Sequence, residues 1–235
     1  MTSGIQKIGT ASRLRNVLLI CGMLASLLYV ATDILAGMLW EGYSFSSQAI
    51  SELSAIGAPT RPLVVTLGII YDVLLIAFGL CVCVIAGGQR RSALRLVGGL
   101  LVGIGAIGFV WAPLFPMHLR GAEMTFTDTM HWVIAGVVVL LILGMIALGA
   151  IAYRRRWFRL YSIGTLVTLL VVGMWSIFVG GAQIATEQPT PFFGLMERIT
   201  VYGYLAWVAV LAIVPLREET DRRAMLKGSS QYTIP

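Results

Sequence analysis

An aspartate in the middle of a long apolar stretch carries the strongest chemical signal in this sequence. Asp72 lies nine residues after Leu63, the start of that stretch, and therefore about 14 Å along a helix. A charged side chain at that depth in a bilayer costs about 2.5–3.5 kcal/mol, so it must face the interior of a helix bundle or a water-filled cavity. We therefore predict that Asp72 acts as a general base, a proton relay, an ion site or a metal ligand. The alternative is a hydrogen-bonded aspartate that only holds two helices together.

Two histidines and an aspartate form a second group, close to the start of the fourth apolar stretch. Asp128 and His131 are three positions apart, so they share one face of a helix. Asp128 can orient the imidazole ring or bind the same metal ion, and His118 can approach the same place. Two histidines with acids suit zinc or another divalent metal, although the spacing is not that of an H-E-x-x-H motif. The alternative is that Asp128 complements the helix dipole and His131 lies at the membrane interface.

A glutamate and an arginine lie about one turn into the sixth apolar stretch. Glu197 and Arg198 are adjacent, so they face different directions on a helix and do not pair with each other. Glu197 is a candidate catalytic carboxylate. Arg198 needs an acid from another span, and it serves either in a structural ion pair or as the receiver of an anionic headgroup or carboxylate. Asp33, near the end of the first stretch, is expected either to line the site or to reach the interface.

The connection between the first two apolar stretches is predicted to contain a short helix. Ser46 or Ser47 can cap it, and Gly57 can end it. Its apolar residues then share one face: Ala49, Ile50, Leu53 and Ile56. We expect this helix to lie at the membrane interface over the mouth of the bundle, with Ser51 and Glu52 directed toward the mouth or toward solvent. Ser51 is thus a candidate substrate-binding residue and Glu52 a candidate catalytic one.

Six apolar stretches position these candidates, each close to the ~20 residues that cross a bilayer as a helix. The chain of 235 residues is 58% hydrophobic and only 12% charged, about half the charged share of soluble domains. Lipid offers no hydrogen bonds to the backbone, so the stretches must be helical. We predict an all-α, polytopic bundle of six transmembrane helices: Val17–Leu39, Leu63–Ala86, Leu94–Phe115, Met130–Ala152, Leu160–Ala182 and Phe193–Val214.

The distribution of charge predicts how these spans are oriented. Fourteen of the 17 Lys and Arg residues lie in the two tails and in alternate connections, which the positive-inside rule assigns to the cytoplasm. Residues 1–16 are then a cytoplasmic tail, residues 17–214 the membrane domain and residues 215–235 a polar cytoplasmic tail. The outer side holds Arg61, Arg120 and Arg198, both histidines and all but three of the acids. We therefore predict a polar pocket that opens outward from a multi-pass protein of the cell membrane.

The same pattern indicates the partners of the chain. The net charge of +6 does not indicate nucleic acid, because the positive charges lie in short clusters between apolar stretches and aromatic-rich nucleic-acid motifs are absent. The predicted partners are the lipid bilayer and a lipid or small-molecule ligand. The oligomeric state is left open.

Glycine and proline in the apolar stretches predict local packing and helix ends. The third stretch is rich in glycine, and Gly99 and Gly103 form a G-x-x-x-G spacing that is typical of close helix packing. Pro215 is expected to end the sixth helix.

Several short motifs together resemble an uncharacterised prokaryotic membrane family, the domain of unknown function nine-nine-eight. The resemblance extends from about the first span to the sixth. It is carried by Gln48–Ala55, Gly57–Pro59, Arg61–Pro62, Phe115–Pro116, His131, Gly194 and Glu197–Arg198. The resemblance implies a six-span bundle of unassigned activity.

Three functions remain open from the sequence. The first is a small membrane enzyme, a metal-assisted hydrolase acting on a lipid or lipid-linked substrate, in which the acids and histidines supply metal ligands or a general base and Arg198 holds an anionic group. The second is a proton- or ion-coupled carrier or sensor in which Asp72 titrates. The third is a structural or lipid-packing protein whose charges form only ion pairs.

Overall fold

The chain folds into long helices joined by short connections. The computed structural model describes residues 2–88, 92–153, 155–180 and 189–231, with side chains for residues 15–87, 92–153, 155–180 and 189–215. Within these ranges there are six long helices and no strand. They are α1 (Thr2–Leu39), α2 (Arg61–Gly88), α3 (Ser92–Leu114), α4 (Phe126–Ala152), α5 (Arg156–Trp175, followed by a π-helical turn at Ser176–Gly180) and α6 (Phe193–Gln231).

Each of the six helices contains a segment long and apolar enough to cross a membrane, which confirms the predicted number of spans. The predicted spans agree closely with these apolar segments, although Phe115 lies one residue beyond the end of α3. The helices α1 and α6 extend well beyond the predicted spans, to Thr2 and to Gln231. The last two residues of the predicted fifth span, 181 and 182, lie outside the described ranges, as do residues 232–235 of the predicted C-terminal tail. The expectation that Pro215 ends the last helix is wrong, because α6 continues to Gln231. Proline removes one backbone donor, but neighbouring groups in a bundle can compensate for that loss.

The helices pack as a closed ring. Each helix from α1 to α5 contacts the next one along the chain, and α6 packs against both α5 and α1. At the end of the bundle where α2 ends and α3 begins, large side chains fill the centre of the ring completely. Leu19, Phe78, Phe158 and Trp207 have no exposed surface there, and the Trp207 indole donates a hydrogen bond to Ser162 Oγ over 2.9 Å.

Glycine contacts hold α2 against α3, but not through the predicted pair. A Cβ atom on Gly98 would lie 2.7 Å from the backbone oxygen of Gly79, and one on Gly105 would lie 3.0 Å from the backbone oxygen of Asp72. A Cβ atom on Gly99 or Gly103 would meet nothing within 4 Å. Helices α2 and α3 therefore pack closely. The contact is made by the face of α3 that carries Gly98 and Gly105, whereas Gly99 and Gly103 face away from α2.

The other end of the bundle is covered by residues 40–60, which we call the cap loop. In place of the predicted interfacial helix there is a short 3₁₀ turn, Ile50–Ser54, which contacts α1, α2 and α6. Leu53 has no exposed surface and Glu52 is 2% exposed. Gly57 follows with a φ of 93°, which favours glycine, and it turns the chain into α2.

Replacement of Gly98 by alanine should destabilise the bundle, because the new Cβ would press against backbone that cannot move aside. We expect Gly98→Ala to lower the free energy of unfolding by about 1–3 kcal/mol, as overpacking does elsewhere. Unfolding in a mild detergent, followed by circular dichroism, would measure it. Gly99→Ala is the matched control and should be as stable as the wild type or more stable, since alanine favours helix. Equal losses in the two variants would contradict the packing described above.

Candidate functional site

A cavity of about 330 Å³ lies beneath the cap loop, in the half of the bundle that large side chains do not fill. Helices α1, α2, α3, α4 and α6 enclose it, and the 3₁₀ turn closes it from above. Four of the predicted site residues line this cavity: Ser51, Asp72, His131 and Glu197. The other four do not line it: Glu52, His118, Asp128 and Arg198.

Asp72 lies on the cavity wall. It is 6% exposed, yet its carboxyl group makes no hydrogen bond or ion pair with any residue that the structure describes. The group lies against the backbone of Gly108 on α3, where a Cβ atom would come within 2.8 Å of Asp72 Cγ. Gly108 therefore provides the space into which the carboxyl group fits. A buried polar group without a partner is costly, so this carboxyl group is suited to a partner that enters the cavity.

His131 presents one ring nitrogen for binding. Its Nδ1 atom lies 3.0 Å from Trp111 Nε1, which can only donate, and 3.0 Å from the carbonyl oxygen of Phe115. These contacts fix the ring, and it is stacked at an angle on Trp111 with the ring centroids 5.0 Å apart. The Nε2 atom has no hydrogen-bond partner among the residues with described side chains. Nε2 is therefore the nitrogen left for a ligand, as donor or as acceptor according to the tautomer.

Glu197 connects the cavity wall to the cap loop. Its Oε2 atom accepts a 2.6 Å hydrogen bond from the backbone amide of Ile50, the first residue of the 3₁₀ turn. Its second oxygen, Oε1, has no hydrogen-bond partner within the described part of the chain. Glu197 thus positions the turn that closes the cavity and still has one oxygen for another donor.

Aromatic side chains complete the wall, and the sequence reading missed them. Tyr29 and Tyr71 meet edge to face with their ring centroids 5.0 Å apart, and the hydroxyls of Tyr71 and Tyr204 are 3.4 Å apart. The spacing along the helices could have identified two of them, because Tyr29 is four residues before Asp33 and Tyr204 is seven residues after Glu197. Such spacings place each pair on one helix face.

Arg198 is fully occupied by protein acceptors. It forms a two-pronged ion pair with Asp33, with Nε 3.0 Å from Oδ2 and Nη2 2.8 Å from Oδ1. Its remaining donors reach the carbonyl oxygens of Phe45 and Gln48 and the hydroxyl of Tyr43. Arg198 is 6% exposed and does not line the cavity. The geometry therefore supports a structural ion pair for Arg198. It does not support the alternative that Arg198 binds an anionic headgroup.

Tyr43 extends this network into the cap loop. Its hydroxyl donates to the carbonyl oxygen of Ala49 over 2.8 Å while it accepts from Arg198. Burial raises the pKa of Tyr43, although the Arg198 guanidinium acts in the opposite direction. The hydroxyl therefore stays protonated and can serve as donor and acceptor at the same time.

Glu52 is likewise held by the protein. Arg120 contacts Glu52 Oε1 through Nε at 3.0 Å and Nη2 at 2.7 Å, and the amide of Ala49 donates to the same oxygen over 2.8 Å. Arg120 also donates to the carbonyl oxygen of Ser47 and to the hydroxyl of Thr190. Glu52 thus fixes the cap loop to the connection between α3 and α4, and its position gives it no access to the cavity.

All three arginines at this end of the bundle bind the cap loop. Arg198 and Arg120 do so as described, and Arg61 donates to the carbonyl oxygen of Ser54. Gly194 allows the cap loop to approach α6, because a Cβ atom there would lie 2.7 Å from the oxygen of Phe45. The loop that covers the cavity is therefore held from three sides by charge-assisted hydrogen bonds.

The predicted metal ligands do not assemble into one site. Asp128 accepts hydrogen bonds from the backbone amide of His118 at 2.6 Å and from His118 Nδ1 at 2.9 Å. Asp128 also accepts from the amide and hydroxyl of Thr125, which is a helix-capping arrangement at the start of α4. His131 is bound to Trp111 instead. In the ranges with described side chains, no group of three or more His, Cys, Asp and Glu residues is arranged to hold a metal ion.

Comparison with known proteins gives one match. A family model described as "Protein of unknown function (DUF998)" matches residues 23–214, which include every residue of the cavity wall. Neither the curated proteins nor the solved structures contain a match to the chain. The comparisons therefore give a family and leave the role of the cavity to be argued from its chemistry.

Removal of the acid that pairs with Arg198 should destabilise the protein strongly. We expect Asp33→Asn to lower the free energy of unfolding by about 3–5 kcal/mol, because a buried guanidinium loses its charge partner. Denaturant unfolding in mild detergent measures this, with Glu41→Gln as the control, since Glu41 is an exposed acid just beyond α1. A stable Asp33→Asn variant would mean that the ion pair does not hold the cap loop.

Proposed function

The chain belongs to the DUF998 family, and from that premise we propose that it binds a small amphiphilic molecule inside the membrane, in the cavity beneath the cap loop. The observation that carries the proposal is the buried carboxyl group of Asp72, which faces this cavity and has no partner among the described residues. A buried polar group without a hydrogen-bond partner is costly, and a bound molecule that pairs with it would remove that cost.

The character of the wall supports an amphiphile as the ligand. Most wall residues are aliphatic or aromatic, and a few polar side chains line the same cavity, among them Asp72, Glu197 and His131. This is the usual composition of a small-molecule site, and its volume lies near the lower end of the ~300–1,000 Å³ of such sites. An apolar body with one polar end fits such a wall, because each part meets a surface of its own kind.

The cap loop is proposed to face the outside of the cell. This orientation follows from the positive-inside pattern of the sequence. The ligand would then reach the cavity from the outer side of the membrane. Binding of this kind suits a carrier or a sensor, in which Asp72 exchanges its proton or its ligand.

A second candidate is an enzyme acting on the bound molecule. The observation that favours it is that three of the predicted site residues with titratable side chains line one cavity: Asp72, His131 and Glu197. A carboxylate can act as general base and the imidazole as the group that passes the proton on. Turnover of a bound ester by the purified protein, lost in both Asp72→Asn and His131→Gln, would favour this candidate over a binding role alone. Metal assistance is not part of it, because the predicted ligands do not assemble.

Filling the cavity should remove the ligand. Gly68 lines the cavity, and a Cβ atom there would meet nothing within 4 Å, so Gly68→Phe is expected to fold with its ring in the cavity. We expect a small molecule to co-purify with the wild type in near-equal amount and to be lost from Gly68→Phe. Solvent extraction followed by mass spectrometry measures it.

Gly136→Phe is the matched control for this experiment. Gly136 also has open space at its Cβ position, but it is exposed on α4 and does not line the cavity. The control should keep the molecule. Equal amounts in the wild type and Gly68→Phe would contradict the proposed binding site, and so would the absence of any such molecule from the wild type.

Cysteine labelling tests the proposed orientation. Cys21, Cys81 and Cys83 would first be replaced by alanine. Glu123→Cys, in the connection between α3 and α4, should then react with a membrane-impermeant maleimide on intact cells. Arg156→Cys, at the start of α5, should react only after the cells are permeabilised. The reverse pattern would place the cap loop in the cytoplasm.

A further inference from the structure

We infer that the ligand of this cavity is an organic cation, an ammonium group on a short apolar body, with Asp72 as its counter-ion. The inference rests on the proposed binding function and adds the chemical class of the ligand. Its starting point is the sign of the charge that the cavity wall leaves uncompensated.

The acids of the wall exceed its cations. Asp33, Asp72 and Glu197 all line the cavity, whereas neither Lys nor Arg is present among the described residues that line it. Asp33 is neutralised by Arg198 and also accepts a hydrogen bond from the hydroxyl of Tyr202. Asp72 and Glu197 have no such ion pair with any residue whose side chain the structure describes. A ligand that brings positive charge therefore completes the wall, and a ligand that brings negative charge adds to the repulsion.

An anionic group would also find no lysine or arginine on the described part of the wall. The guanidinium of Arg198 pairs with Asp33 on the wall, and it already contacts Tyr43 and three backbone carbonyls as well. Freeing it would break the contacts that hold the cap loop over the cavity. The sequence suggested that Arg198 binds a carboxylate or an anionic headgroup. We infer instead a site that binds a cation.

The aromatic residues of the wall favour an organic cation over a metal ion. Tyr29, Tyr71, Tyr204 and Trp111 line the same cavity as Asp72. The faces of such rings attract ammonium groups, most strongly where water is excluded. A metal ion needs several oxygen, nitrogen or sulfur ligands at short range, and the described residues do not offer three acidic, histidine or cysteine side chains in one group. An alkylammonium needs one counter-ion and an apolar surface, and both are present.

Three probes of equal chain length test the charge: octylammonium, 1-octanol and octanoate. The full-length protein is placed in phosphatidylcholine nanodiscs, and equilibrium binding of each radiolabelled probe is measured after subtraction of binding to empty nanodiscs. We expect octylammonium to bind at least about tenfold more tightly than 1-octanol, and octanoate to bind most weakly. Asp72→Asn should remove the preference for octylammonium. It should fold normally, because the Asp72 side chain makes no hydrogen bond to the described residues.

Two further variants distinguish failure of the proposed ligand class from failure of the proposed binding cavity. Glu123→Gln removes an exposed acid outside the cavity and should leave the preference for octylammonium unchanged. Gly68→Phe should reduce binding of every probe. If the three probes bind equally, Asp72→Asn has no effect and Gly68→Phe still blocks binding, the cationic ligand is refuted and the binding cavity stands. If Gly68→Phe changes nothing for any probe, the binding cavity is refuted as well.

Discussion

Inside a membrane-spanning bundle, a polar side chain needs a partner, because neither lipid nor packed apolar groups can hydrogen-bond to it. This constraint explains most of the polar residues at the cap end of the protein. Asp33 and Arg198 satisfy each other across α1 and α6, and Glu52 is matched by Arg120. Among the residues described there, the Asp72 carboxyl group has no such partner, and it lies on the wall of a cavity that a ligand can enter.

The two halves of the bundle are filled differently, one by packed side chains and the other by a cavity. In the half away from the cap loop, Phe78, Phe158 and Trp207 fill the ring, and glycine contacts bring α2 against α3. In the other half the helices enclose a cavity, and hydrogen bonds from arginines hold the segment that covers it. The glycines serve both halves, since Gly98 allows close packing and Gly108 makes room for the carboxyl group of Asp72. Apolar packing thus stabilises one half of the bundle, and charge-assisted hydrogen bonds stabilise the other.

The sequence could predict what depends on depth and length, but not what depends on helix rotation. The six spans followed from the apolar runs, and the burial of Asp72 inside the bundle followed from the cost of a charge in lipid. The Asp33–Arg198 pair could not be predicted, because the two residues are 165 positions apart and only the fold brings them together. The sequence indicated Gly99 as a packing residue of α3, whereas the preceding residue, Gly98, makes the contact with α2. The rotation of a helix about its axis is set by the helices around it. His118 and Asp128 were predicted to be close and are close, yet they cap a helix and His131 lies apart from them.

The most direct measurement is an experimental density map of the protein in nanodiscs, at a resolution that shows the side chains around Asp72. The account predicts density that is not protein in the cavity, with an atom at about 2.7–3.2 Å from the carboxyl oxygens of Asp72. A carboxyl group that is hydrogen-bonded to another side chain of the chain, or that points outward at acyl chains, would contradict it.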